Sequence, residues 1–173
     1  ATVRLTTADL GQPTVSLPGP VGKTVTAADI YKIYFHGPAY QVLDEVGMAG
    51  GTVVGRMMHD LPANTAPAAA TTLLAPRLIE FCFQTAGIWE MATTGVMALP
   101  MAIGRVTTYR QPEQAQGQRL YALVTPVEGG KSFDALVVDE TGNVYVEMHG
   151  YQTVRMPGSV TADLLAPLQA ILA

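Results

Sequence analysis

Leu78-Ile79-Glu80-Phe81-Cys82-Phe83-Gln84 places one carboxylate and one carboxamide four residues apart in an otherwise apolar run from Leu73 to Met91. The spacing predicts a helix that carries Glu80 and Gln84 one above the other on the same face. Leu74, Leu78, Phe81, Phe83, Ile88 and Trp89 leave little of that cylinder polar. A carboxyl group set among them is costly in its ionised form unless partners hold it. Carboxyl groups buried in that manner titrate late, which is the property a general acid or base needs. A second reading stands beside the first: Glu80 reaches solvent at the edge of the element, with Gln84 as a hydrogen-bonding neighbour.

Outward from this run, Pro76 suits the first helical turn and Gly95 the stop. Upstream, Thr26 and Asp29 resemble a capping box that opens a short helix through Ile30, Ile33 and Tyr34. His36-Gly37-Pro38 ends it, because the residue before a proline leaves helical geometry. A strand is expected near residues 40–48, a tight turn at Gly50-Gly51, and a second strand over 52–59, which together read as a hairpin. Residues 61–70 read as a loop. Beyond Gly95, strands are expected near 98–110, 119–127, 132–138 and 143–156, with turns at Gly117, Gly129-Gly130 and Gly142. Thr161 is placed to cap a last amphipathic helix bearing Leu164, Leu165, Leu168 and Leu172, with Pro167 as a kink.

Residues 1–8 alternate like a strand, and a Pro- and Gly-rich stretch from Gly11 to Gly22 follows. The expected division is a strand and linker from a preceding unit over 1–25, one domain over 26–157, and a C-terminal helix or linker over 158–173. A chain that opens on Ala1 predicts a segment of a longer polypeptide.

The expected order is helix, two strands, one long apolar helix, then four strands. A helix apolar on nearly all sides needs a sheet that curls around it. That is the α+β hot-dog arrangement, in which leftover apolar surface meets a second such unit.

The chain is 49% hydrophobic and 14% charged, with a mean hydropathy of +0.24. Its 173 residues suffice for one well-buried domain. The apolar surplus predicts surface hidden against another domain, another copy or a long apolar ligand. No apolar run reaches the ~18 residues of a membrane span. A net charge of −4 without a cluster of Lys or Arg argues against a nucleic-acid partner and against a polybasic membrane anchor. Cys82 is the single cysteine, so no intrachain disulfide forms, and its place in the apolar run makes it a buried hydrophobe. The N-terminus shows no secretory signal, and the expected address is cytoplasmic.

The stretch from Ile30 to Gln41, with His36-Gly37-Pro38-Ala39-Tyr40-Gln41 at its end, resembles the start of the second hot-dog half of polyketide synthase dehydratase domains. That family shows a Tyr-Gly-Pro-x-Phe-Gln block there; His36 stands for its Tyr and Tyr40 for its Phe. About forty residues on, the family carries Asp-x-x-x-Gln or Asp-x-x-x-His, and this chain has Glu80-Phe81-Cys82-Phe83-Gln84. Leu99-Pro100 is similar to the Leu-Pro stretch that follows. The resemblance covers roughly residues 28–156 and looks closest to dehydratase-like regions of synthases of the polyunsaturated-fatty-acid type.

The resemblance implies a double hot dog acting on acyl chains that an acyl carrier protein presents on a phosphopantetheine arm, with no cofactor bound directly. In the family, a His from the first half removes the α-proton of a 3-hydroxyacyl thioester. The acid of the second half protonates the departing β-hydroxyl. Carried over, Glu80 is the general acid and Gln84 its orienting partner; Glu for Asp lengthens the arm by one methylene and shifts the geometry by about 1 Å, enough to matter in catalysis. His36, Gly37, Pro38 and Tyr40 would line the substrate site.

The family's catalytic His lies in His-x-x-x-Gly-x-x-x-x-Pro. His36, His59 and His149 are followed four residues later by Tyr40, Ala63 and Thr153, so none fits. The first half is expected to lie outside this chain, supplied by a preceding unit or another copy, and the isolated chain is expected to be inactive. His36 reads as pocket-lining, as a turn-holding loop residue, or as the base. Gly37 and Pro38 shape a turn, and Tyr40 packs and offers a backbone hydrogen bond. Met57, Met58, Met97 and Met101 line an acyl tunnel or fill the core. Two other functions stay open: a non-catalytic pseudo-dehydratase half that shapes the tunnel or docks neighbouring domains, and a self-dimerising hot-dog thioesterase.

Overall fold

Helix α2 (Pro76–Thr94) is the axis of the computed structural model, which describes residues 2–68, 70 and 72–173. Ala1, where the expected first strand begins, and Ala69, within the expected loop, lie outside the described residues. Proline occupies the first turn of α2, as expected. Gly95 closes it in left-handed geometry (φ +73°), and its N–H reaches the Met91 carbonyl at 2.8 Å. Leu78, Phe81, Cys82, Ala86, Ile88, Met91 and Ala92 are buried along the helix. Each large side chain among them contributes about 1.5–3 kcal/mol by leaving water.

Among the described residues, eight antiparallel strands form the sheet that wraps this helix. They are β1 (Thr24–Thr26), β2 (Leu43–Ala49), β3 (Thr52–Met57), β4 (Ala98–Ala102), β5 (Arg105–Thr108), β6 (Leu120–Val127), β7 (Ser132–Asp139) and β8 (Val144–Arg155). Their order across the sheet is β1-β2-β3-β6-β7-β8-β4, with β5 also on β8. α2 touches β2, β3, β4, β6, β7 and β8, so the sheet wraps around it. Helix α1 (Ala27–Ile30) leads from β1, and α3 (Ala162–Gln169) packs on α2 with Leu168 and Ile171 buried beneath. The hot-dog reading of the sequence holds, as do the hairpin at Gly50-Gly51 and the position of the long helix. Among the described residues no helix is long and apolar enough to cross a membrane.

Four local expectations are corrected. Residues 2–8 form no strand: Val3 and Leu5, their large apolar side chains, are both exposed, and residues 2–8 pair with no strand of the sheet. Instead the chain joins the sheet further on, where Thr14 bridges Asn143 and the Val144 N–H meets the Pro13 carbonyl at 3.0 Å. The helix at Thr26 is a single turn, and neither Thr26 nor Thr161 makes a side-chain cap hydrogen bond. β2 begins at Leu43 because Pro38–Tyr40 coils into a 3-10 turn first. The single strand expected over 98–110 is two, β4 and β5. Both lie along β8, and between them the Gly104 N–H turns to the carbonyls of His149 and Gly150 at 3.1 and 3.2 Å.

Candidate functional site

Glu80 and Gln84 share one face of α2, as their spacing requires, and that face is roofed by the loop from α1 to β2. Gln84 is 2% exposed, so its amide must be bonded within the protein. The bonds assign themselves. The Leu43 N–H donates to the Tyr31 hydroxyl at 2.7 Å, and that hydroxyl spends its own hydrogen on Gln84 Oε1 at 2.9 Å. Gln84 Nε2 then donates to the Tyr40 carbonyl at 2.8 Å and to Glu80 Oε1 at 3.0 Å. A flipped amide would set its oxygen against the Tyr40 carbonyl, so only one orientation fits. Glu80 is thereby held by a carboxamide that is itself held at two other points, by Tyr31 and by the Tyr40 carbonyl.

His36 comes to the same oxygen: its Nε2 lies 2.9 Å from Glu80 Oε1. Both side chains keep 22% of their surface exposed, so the pair stands at the rim of the core rather than sealed within it. The ring stacks on Phe35 and meets the Tyr34 ring edge-on. Gln41 Nε2 donates to the His36 carbonyl at 3.0 Å and fixes the loop. His36 Nδ1 is buried and has no hydrogen-bond partner among the described residues.

Burial raises the pKa of the surrounding hydroxyl and thiol groups, and the charge of Glu80 adds to the effect. The Tyr31, Tyr34 and Tyr151 phenols are all pushed above their ordinary value, with burial the main cause. The Cys82 thiol is pushed up to about 12, again by burial first and Glu80 second. These groups stay protonated at working pH, so Tyr31 remains a donor to Gln84. Cys82 is the inert core residue expected.

Of the residues singled out by sequence, Glu80, Gln84 and His36 meet. Tyr40 contributes its backbone carbonyl, while its hydroxyl accepts a long bond from Asn64 Nδ2 at 3.4 Å. Gly37 and Pro38 form the turn: Gly37 has φ −68°, open to any residue, and its carbonyl accepts the Tyr40 N–H at 2.9 Å. His59 pairs with Asp60 at the surface, and His149 lies on the outer sheet face between Asp134 and Glu147. Tyr31 and Tyr34 were missed. The Tyr34 hydroxyl donates to the Gln84 carbonyl at 3.0 Å, above Gly87, where a Cβ would collide with it. The available signal was chemical: a buried tyrosine in place of phenylalanine demands a polar partner.

A cavity of about 660 Å³ opens at the N-terminal end of α2 rather than at Glu80. Met57, Met58, Leu61, Arg77 and Leu120 are among its walls, and Met97 and Met101 are not. Arg77 connects it to the site, since Arg77 Nε donates to the Ala39 carbonyl one residue before Tyr40.

A curved antiparallel sheet around one helix, with a clamped carboxyl on that helix, defines a hot-dog unit with acid–base potential. A family model described as polyketide synthase dehydratase N-terminal domain matches residues 9–162, and the chain belongs to the polyketide synthase dehydratase family. No curated protein gives a significant sequence match. Among solved structures, the dehydratase domain from the CurF module of curacin polyketide synthase superposes with a TM-score of 0.68 at 19% identity, over 85% of this chain and 54% of that one. A trans-AT polyketide synthase dehydratase domain from Brevibacillus brevis gives 0.65 at 20% identity, over 84% and 54%. The dehydratase domain of a mycocerosic acid synthase-like polyketide synthase gives 0.64 at 21% identity, over 91% and 58%. The likeness is one of fold. This chain spans about half the length of the solved dehydratases it matches.

Proposed function

We propose that this chain is the acid-bearing half of a 3-hydroxyacyl-carrier-protein dehydratase, and that Glu80 is its general acid. The reaction removes the α-proton, breaks the Cβ–O bond and forms a Cα=Cβ double bond. Hydroxide leaves poorly unless protonated, so the step needs an acid beside the oxygen and a base beside the α-carbon. Glu80 gives its proton to the β-hydroxyl, water departs, and the carboxylate remains under the hydrogen bond from Gln84. The observation that carries this reading is the fully bonded Gln84 amide, which spends one N–H on Glu80 and leaves that carboxyl at the rim of the core.

The base comes from a complementary unit, a first hot-dog half or a second copy. The family description names an N-terminal domain, whereas the block order in this chain is that of the second half. His36-Gly37-Pro38 ahead of β2 and Glu80-x-x-x-Gln84 on α2, the blocks of a second half, are the residues that meet, and this favours the second half. Leu99, Met101, Ile103 and Val154 are exposed on and beside the edge strand β4, a surface suited to such a unit. The substrate arrives on the phosphopantetheine arm of an acyl carrier protein, and a cytoplasmic address goes with this reading.

Glu80→Gln tests it. In the complete dehydratase, with a 3-hydroxyacyl pantetheine thioester, the variant is expected to lose at least about 100-fold in rate while keeping the melting profile. Undiminished activity would remove Glu80 from the mechanism.

A further inference from the structure

Glu80 Oε1 meets two nitrogens, Gln84 Nε2 at 3.0 Å and His36 Nε2 at 2.9 Å, and no described residue bonds Oε2. We infer that His36 is a positioning residue: with Gln84 it clamps Glu80 by one oxygen, so that the transferable proton rides on Oε2. The inference rests on the dehydratase reading of Glu80 and assigns His36 a role other than the base.

Gln84 Nε2 is a donor at Oε1, because Gln84 Oε1 is already taken by the Tyr31 hydroxyl. A carbonyl-type carboxyl oxygen has two lone-pair sites and takes two N–H donors; a hydroxyl oxygen is a poorer acceptor. With His36 Nε2 as a second donor, Oε1 is the carbonyl oxygen and the acid hydrogen sits on Oε2. Which ring nitrogen carries the imidazole hydrogen is decided at the other end of the ring.

The tautomer opposite to an Nε2 donor would put a hydrogen on Nδ1, which is buried and partnerless among the described residues. Orphaned buried N–H groups are the rarer and costlier defect. Histidines that serve as bases are commonly oriented through Nδ1–H by a carboxylate or carbonyl, and His36 has neither there. The remaining titratable groups around the pair, Tyr31, Tyr34, Tyr151 and Cys82, are held protonated by burial and supply no competing base.

It follows that Nε2 offers no lone pair to an α-proton and Nδ1 is sealed away. The site is incomplete without a base from a second unit.

Long-range proton–nitrogen NMR on the labelled chain tests the tautomer directly and needs no variant. At neutral pH, His36 is expected to show a protonated Nε2 and a pyridine-type Nδ1; the reverse pattern would overturn the clamp. In the complete dehydratase, with a 3-hydroxyacyl pantetheine thioester, His36→Phe is expected to lower kcat roughly 10- to 100-fold with KM nearly unchanged. His36→Gln keeps an N–H donor near the same point and should restore most of the rate. A His36→Phe rate at background that His36→Gln does not rescue would make the imidazole the base and overturn the inference. A fully active Glu80→Gln enzyme would instead overturn the dehydratase reading, and the tautomer would still decide the clamp.

Discussion

Three side chains from two distant stretches converge at the residue scale. Glu80 and Gln84 were legible in the sequence, because a carboxyl and a carboxamide at helical spacing in an apolar run announce a shared face. His36 was legible as a candidate but its contact with Glu80 was not, since no periodicity relates positions 44 residues apart. Tyr31 escaped notice because an aromatic residue near an apolar turn reads as packing. Its hydroxyl nevertheless joins the Leu43 N–H to Gln84 Oε1 and sets the direction of the amide. Tyr31→Phe removes an acceptor and a donor in one step. The variant is expected to lose about 1–3 kcal/mol in urea denaturation, and to lower dehydration further by freeing Gln84 to rotate. A variant as stable and as active as the parent would show that Gln84 is oriented by something else.

Elements formed where local chemistry and long-range pairing agreed, and failed where only one was present. α2 has proline at its start, glycine in left-handed geometry at its end and apolar residues between. Sequence alone placed it well. Residues 2–8 show alternation but pair with no strand of the sheet, and alternation without a partner makes no strand. The strand expected over 98–110 breaks at Gly104, whose N–H is drawn to two carbonyls of β8, a contact that no local pattern encodes. The turn from β7 to β8 shows local chemistry at its strongest. Asp139, 1% exposed, accepts hydrogen bonds from Thr141 N and Oγ1, Asn143 N and Nδ2, and the Tyr145 hydroxyl. Burial pushes its carboxyl upward, but the bonds from Asn143 and Thr141 outweigh burial and hold it below its ordinary value. A carboxyl group easier to ionise folded than unfolded adds stability above the ordinary Asp range, lost as pH falls through the lowered value. Urea midpoints are therefore expected to drop as pH falls below about 4, and Asp139→Asn should flatten that drop. An unchanged pH profile in the variant would place the acid sensitivity elsewhere.

The whole molecule is one hot-dog unit with an unfinished edge. Its sheet ends on β4, where Leu99 and Met101 are exposed, with Ile103 and Val154 beside them. The apolar surplus in the composition anticipated such a surface, although composition could not say which strand would bear it. Replacing Leu99 and Met101 by lysine is expected to weaken association with a second unit in sedimentation velocity without unfolding the chain. Association unaffected by both charges would move the interface off β4. At this scale the 660 Å³ cavity and the Glu80 site are separate features joined through Arg77 and the Ala39–Tyr40 backbone. Where the substrate oxygen settles between them is the question that decides the account. A crystal structure of the complete dehydratase with a non-reactive 3-hydroxyacyl pantetheine analogue answers it. The β-hydroxyl is expected within about 3 Å of Glu80 Oε2; a hydroxyl lodged in the Arg77 cavity, out of reach of Glu80, would contradict the assignment of the acid.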